Sequence, residues 1–157
     1  MTENNGYGTR PDFLPSFMND SEDSDGRQVV KLVWSESRGL ENISLNRFPA
    51  TFGAALDWDS ASYEARLWWD DEEGWARMAS ELLSSYVERE LSVAIFWGNL
   101  VLPSVTLPAD VAVRHAREIL DVGPHFWIYP LDGSILIECL MDGQVTLANI
   151  PEISAPS

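Results

Sequence analysis

The chain has 157 residues, of which 25 are Asp or Glu and 10 are Lys or Arg, so its formal net charge at pH 7 is -15. The length is that of one domain, and a hydrophobic fraction of 45% is too high for a disordered acidic chain. Nucleic acid and anionic membranes both bind proteins through cationic surfaces. The charge therefore argues against nucleic acid and membrane as ligands and favours a basic protein partner.

Residues 1–26 predict a largely irregular acidic arm. They are rich in Asn, Gly, Pro and Ser, and acids crowd residues 20–25. Phe13 and Phe17 are the two rings expected to hold this arm against the rest of the chain. The sequence begins without the basic and apolar regions of a signal peptide, and no apolar run approaches about 20 residues. We therefore expect a cytoplasmic protein.

The segment 27–150 is expected to form a single α+β domain, followed by a tail at 151–157. β-Branched residues at 28–35 (QVVKLVWS) predict a strand, and a short second strand is expected at 43–48. Apolar and polar residues alternate over 62–69, which predicts a further strand.

Two helices are predicted in the middle of the chain. The first covers 70–90, with Asp70 as its N-cap, acids in its first turn and an apolar stripe at helical spacing. The short run at 92–98 (SVAIFWG) is apolar on both faces, which is typical of a central strand. An apolar loop, LVLPSVTLP at 100–108, separates it from a second helix at 109–121.

The last third of the chain predicts a β-meander. Three β-rich runs, 125–129, 134–140 and 144–148, are separated by two Asp-Gly pairs, which favour tight hairpin turns. The sequence therefore predicts an α+β fold with a mainly antiparallel sheet of five to seven strands and two helices packed on one face.

Residues that can carry catalysis are few. The chain has no glycine-rich phosphate loop and no HExxH or GxSxG motif. His115 on an apolar helix stripe and His125 at a strand start occupy positions typical of structural histidines. Cys139, alone and in an apolar strand, is expected to be an inert buried thiol, and one cysteine forms neither an internal disulfide nor a Cys-based zinc site. We expect no catalytic residue, no cofactor and no metal site.

Acids and tryptophans are interleaved between residues 57 and 75. Four tryptophans lie there beside seven acids and one cation, Arg66. Trp69 and Trp75 fit core patterns, whereas the other two tryptophans do not. Large rings surrounded by charge are typical of tight protein interfaces, although acids that only solubilise the fold are the alternative. The predicted contact surface consists of Asp57, Trp58, Asp59, Glu64, Trp68, Asp70, Asp71, Glu72 and Glu73, with the acidic run at 20–25 as a second candidate.

In its size, acidity, tryptophan content and lack of catalytic motifs, the chain resembles the immunity proteins of bacterial polymorphic toxin systems, such as contact-dependent growth inhibition. The resemblance is one of overall character and assigns no role to individual residues. It implies a protein that neutralises a cognate toxin domain. An acidic surface suits a basic nuclease, since it takes the place of nucleic acid in the cleft. We expect a monomer or a weak homodimer.

Two other functions remain open from the sequence. A small acidic secretion-type chaperone would dimerise and use an apolar groove, for which the segment LVLPSVTLP is a candidate. A carboxylate-dependent hydrolase would bring Asp57 or Asp59 together with His115 or His125 in one pocket.

Overall fold

The strands of the fold form one antiparallel sheet. The computed structural model describes residues 7–20, 22–44, 65–86, 91–97, 101–122, 125–131, 135–140 and 143–150. Within these ranges the strands are β1 Val30–Lys31, β2 Ala65–Trp68, β3 Ser92–Trp97, β4 Val105–Pro108, β5 Phe126–Pro130, β6 Ile135–Cys139 and β7 Gln144–Asn149. They lie in the order β1-β4-β3-β5-β6-β7-β2, and every neighbouring pair is antiparallel. The predicted α+β class and the C-terminal meander are confirmed.

Helices pack against the first face of this sheet. The described helices are α1 Trp34–Asn42, α2 Glu72–Tyr86, α3 Ala109–Arg114 and α4 Ala116–Val122. The apolar stripe of α2, which includes Trp75 and Leu83, joins Val111 of α3 and Ile119 of α4 in one core with alternate residues of the strands. None of the described helices combines the length and the apolar composition needed to cross a bilayer.

The second face of the sheet is also buried. Its core includes Phe96 of β3, Trp127 and Tyr129 of β5 and Leu136 of β6, and Leu40 of α1 packs against this cluster. Because β3 and β5 are covered on both faces, their sequences are apolar without alternation. The prediction that 92–98 contains a central strand is confirmed.

The N-terminal segment packs against the first-face core. Residues Pro11–Phe13, Ser16–Asn19 and Gly26–Gln28 form short 3-10 turns. Of the two rings expected to hold this segment, Phe17 is buried in the core. Phe13 is 48% exposed and lies under the guanidinium of Arg10, 4.0 Å from its ring centroid.

The strand predicted at 28–35 is wrong at both ends. Only Val30 and Lys31 pair with β4, and α1 begins at Trp34. The Val33 N–H donates to the Glu36 carboxylate at 3.1 Å, and the Ser37 N–H donates to the Val33 carbonyl at 3.0 Å. These helix-initiating bonds outweigh the β-propensity of the run, which is a weak preference.

Three other predicted boundaries need correction. Ile43 and Ser44, the first two residues of the strand expected at 43–48, form a turn after α1, and residues 45–48 lie outside the described ranges. The expected loop LVLPSVTLP contains β4, which pairs with both β1 and β3. The helix predicted at 109–121 is divided at His115 into α3 and α4. The backbone of His115, with φ -112° and ψ 23°, departs from helical geometry at this point.

Candidate functional site

The described part of the predicted contact surface lies where β2 leads into α2. Trp68 ends β2 and is 59% exposed, and Asp70, Asp71 and Glu73 are exposed beside it. The remaining predicted residues, Asp57, Trp58, Asp59 and Glu64, and the side chain of Glu72, lie outside the described ranges. The structure therefore brings together one exposed indole and three of the predicted acids.

Trp69 fixes the direction of its neighbour Trp68. The Trp69 N–H donates to the Gly143 carbonyl at 3.0 Å, and the Trp69 ring lies 6.3 Å from that of Trp75 in the core. Because adjacent side chains of an extended chain point to opposite faces, packing Trp69 inward turns Trp68 away from the α2 core. Trp75 is 1% exposed, as expected for a ring of the helix stripe.

Asp71, and not Asp70, caps α2. The helix begins at Glu72, and Asp71 Oδ1 accepts the Gly74 N–H at 2.7 Å. The predicted cap is thus wrong by one residue, because Asp71 is placed to reach the third N–H of the helix. Asp71 therefore has a structural role in addition to any contact with a partner.

Glu73, another acid of this surface, is weakly constrained. Glu73 lies 3.6 Å from Arg117 of α4, and both side chains are more than half exposed. An exposed ion pair of this length contributes little to stability. Glu73 can therefore change partners at low energetic cost, which is the property that a contact residue at an interface needs.

The second candidate, the acidic run at 20–25, is largely occupied within the chain. Asp20 Oδ1 accepts the Glu22 N–H at 3.0 Å, and Asp23 Oδ1 accepts the N–H groups of Asp25 and Gly26 at 2.8 and 3.2 Å. Asp25 itself binds side chains of α3 and its junction with α4. These carboxylates shape the N-terminal segment, so the region at Trp68 is the better candidate for an interface.

A polar row that the sequence analysis missed crosses the second sheet face. The register aligns Trp127, Glu138, Thr146 and Arg66 on four neighbouring strands. Glu138 is 0% exposed, and its carboxylate accepts the Trp127 indole N–H at 2.9 Å. Arg66 Nε donates to the Thr146 hydroxyl at 3.2 Å. Residues directly opposite each other on neighbouring strands share a face of the sheet. The predicted hairpins, together with the acid Glu138 in the otherwise apolar run at 135–139, were therefore the sequence signal for this row.

His125 lies at the edge of that row. Its Nε2 atom is 3.9 Å from Glu138 Oε2, which is too far for a hydrogen bond, and its ring centroid is 4.5 Å from that of Trp127.

Cys139 follows Glu138 in β6. Burial raises the pKa of its thiol well above the ordinary value, with a smaller contribution from the charge of Glu138. A thiol held in this form is a poor nucleophile, which agrees with the prediction of an inert Cys139.

Within the described ranges, no group of three or more His, Cys, Asp and Glu side chains is arranged to hold a metal ion. Asp57 and Asp59, the carboxylates of the hydrolase alternative, lie outside those ranges.

No protein-family model matches the chain, and a search of curated proteins returns no match.

Proposed function

We propose that this chain is a cytoplasmic immunity protein that binds and neutralises a basic toxin domain, most simply a nuclease. The contact surface we assign to this function consists of Trp68 and the acids at the start of α2: Asp70, Asp71, Glu72 and Glu73. Residues Asp57, Trp58, Asp59 and Glu64 are proposed to extend it.

The single observation that carries the proposal is the exposure of Trp68. An indole that is 59% exposed on a domain with two buried sheet faces leaves a large apolar area in water. Leu67, the preceding residue of β2, is 39% exposed on the opposite side of the strand. Tryptophan is among the residues that contribute most to binding when a partner covers them.

The charge around Trp68 favours a basic partner. Asp70, Asp71 and Glu73 are exposed within five residues of it, and the chain as a whole carries -15. Acids around an aromatic anchor steer a cationic protein toward the surface and raise the association rate. The same charges compete with nucleic acid for a cationic cleft, which is how binding would block a nuclease.

A chaperone function is less well supported. It relied on an apolar groove formed by LVLPSVTLP, but Val105 and Leu107 of this segment are buried in a strand between β1 and β3. The described residues of the segment therefore offer no open apolar surface to an extended peptide.

The proposal is tested by capture from a lysate of the native host with the full chain as bait. We expect the wild-type chain to retain a basic protein with toxin activity, and the double variant Asp70→Lys, Glu73→Lys to retain much less of it at low ionic strength. High salt should reduce the difference, since screening weakens surface charge interactions. Asp71 is left unchanged because it caps α2.

Glu81→Lys provides the matched control. Glu81 is exposed on the same helix and lies two turns beyond Glu73, so Glu81→Lys changes the net charge as much as the single variant Glu73→Lys does, without altering the proposed surface. Equal loss of the captured protein with Glu81→Lys would attribute binding to overall charge alone. Capture of no basic protein by the wild-type chain would contradict the proposed function.

A further inference from the structure

His115 joins the N-terminal segment to two helices. It follows α3 directly, at the break before α4. Its Nε2 atom lies 2.9 Å from Asp25 Oδ2, and its Nδ1 atom lies 2.8 Å from Glu118 Oε1. Both ring nitrogens of one histidine therefore face carboxylate oxygens at hydrogen-bonding distance.

This geometry selects one protonation state of the ring. A neutral imidazole has one N–H donor and one acceptor nitrogen, whereas an ionised carboxylate only accepts. Both contacts are hydrogen bonds only if both nitrogens carry a proton. The arrangement therefore fits an imidazolium that donates to Asp25 from Nε2 and to Glu118 from Nδ1.

Arg114 and Phe17 also contact the His115–Asp25 pair. Arg114 of α3 donates to both oxygens of Asp25, at 2.7 and 3.2 Å, and its remaining nitrogen lies 3.3 Å from Asp110. The hydrogen bonds that Asp25 accepts from Arg114 and, second, from His115 lower the pKa of Asp25 to about 2. The Phe17 ring stacks on His115 at 3.7 Å between centroids and 11° between planes, which suits a cationic ring.

The carboxylate of Asp25 is carried by a tightly folded segment. Asp23 Oδ1 accepts the N–H groups of Asp25 and Gly26, and the Arg27 N–H donates to the Asp23 carbonyl at 3.0 Å. A Cβ at Gly26 would collide with the backbone carbonyls of Phe17 and Asp20, so the segment approaches closely there. Release of Asp25 would loosen this segment where it crosses the 3-10 turn that carries Phe17.

We propose that His115 is a pH-dependent latch that fastens the segment 22–28 to the junction of α3 and α4. Protonated, it donates to Asp25 and Glu118 together. When it loses a proton, one nitrogen becomes an acceptor that faces a carboxylate, and Asp25 or Glu118 loses its bond. In the neutral tautomer that lacks the Nε2 proton, Arg114 holds Asp25 alone, and the segment opens more often. This inference is independent of the proposed function.

The direction of the pH effect follows from the pKa of His115. Burial alone lowers it, but the hydrogen bonds and charges of Glu118 and Asp25 outweigh burial, and the pKa is raised above its ordinary value. The latch therefore contributes fully below the unfolded-state pKa of about 6.5 and is lost as the pH rises through the higher folded-state pKa. Alkaline conditions should open it.

The latch is tested by amide hydrogen exchange of the full chain, measured by NMR and corrected for intrinsic rates. From about pH 6 to about pH 9, we expect the protection of the Asp25, Gly26 and Arg27 amides to fall about three- to tenfold, the loss of one partly exposed charged hydrogen bond. Amides of β5 and β6 serve as the internal reference and should show no such step.

Two variants and one direct measurement decide the outcome. His115→Gln and Asp25→Asn should each remove the step, because each removes one side of the same contact. Histidine side-chain ¹⁵N shifts of the wild-type chain should show both His115 nitrogens protonated at about pH 6. A step that persists in both variants, or a His115 that is neutral at that pH, would overturn the latch.

Discussion

Replacing Gly143 with alanine should destabilise the fold through a contact that positions the candidate interface. Gly143 precedes β7 and has a φ of 96°. A Cβ at this position would lie well under 3.0 Å from the Trp69 carbonyl oxygen. The Gly143 carbonyl also accepts the Trp69 N–H at 3.0 Å, so the two backbones are held together from both sides.

Two contributions set the size of the effect. An L-residue in a left-handed conformation costs about 1–2 kcal/mol relative to glycine. Moving the Trp69 carbonyl to admit a methyl group also weakens the neighbouring hydrogen bond, which contributes about 1 kcal/mol. We therefore expect Gly143→Ala to reduce the free energy of unfolding by about 2–4 kcal/mol.

Urea unfolding followed by tryptophan fluorescence measures this change, and Gly39→Ala is the matched control. Gly39 lies within α1, and a Cβ there would meet nothing within 4 Å. The same substitution should therefore stabilise the fold by about 0.5–1 kcal/mol through helix propensity. A Gly143→Ala variant within about 0.5 kcal/mol of wild type would refute the close approach of the β6–β7 turn to Trp69.

Three further predictions concern caps and buried groups. Asp71→Ala should reduce the free energy of unfolding by about 1 kcal/mol, whereas Glu73→Ala should change it by less than about 0.5 kcal/mol; thermal melts compare the two. Glu138→Ala should reduce the free energy of unfolding by about 3 kcal/mol, because the Trp127 indole N–H loses its acceptor. Glu138→Gln keeps an acceptor and should reduce it by less. Equal losses for the two variants in urea unfolding would contradict the hydrogen bond between Glu138 and Trp127. The Cys139 thiol should react with a disulfide reagent at pH 8 only after unfolding, and fast reaction of the folded chain would contradict its burial.

Elements with strong local patterns could be predicted from the sequence. The apolar stripe of α2 contains Trp75 and Leu83, and both are in the core. The second predicted hairpin is borne out by the antiparallel pairing of β6 with β7, and Gly143, the described residue of its Asp-Gly pair, has a positive φ. In these cases residue spacing and turn preference agree with the tertiary environment, so local reasoning was sufficient.

Elements determined by distant contacts could not be predicted in this way. Helix α1 follows a β-rich run, and its Ser37 hydroxyl bonds to that of Ser104, 67 residues away. The break at His115 is accompanied by a contact with Asp25, 90 residues away. Both features lie at contacts with partners that only the folded chain brings near, and propensity carries no information about such contacts.

The candidate site shows the same contrast between features set by local sequence patterns and features set by distant contacts. Exposure of Trp68 was predicted, because alternation assigns Trp69 to the core and leaves Trp68 on the polar side of the strand. The buried polar row of Glu138 was missed, because it depends on the register between β5, β6 and β7. Sequence patterns thus located the exposed indole but not the buried carboxylate.

The affinity of the Trp68→Ala variant for the captured basic protein tests the central claim most directly. Phe13→Ala is the matched control, because Phe13 is a comparably exposed ring, at 48%, in the N-terminal segment. We predict that Trp68→Ala raises the dissociation constant about 30-fold or more, as loss of an interface anchor does, while Phe13→Ala leaves it nearly unchanged. Equal affinities of the two variants would contradict a binding surface at Trp68.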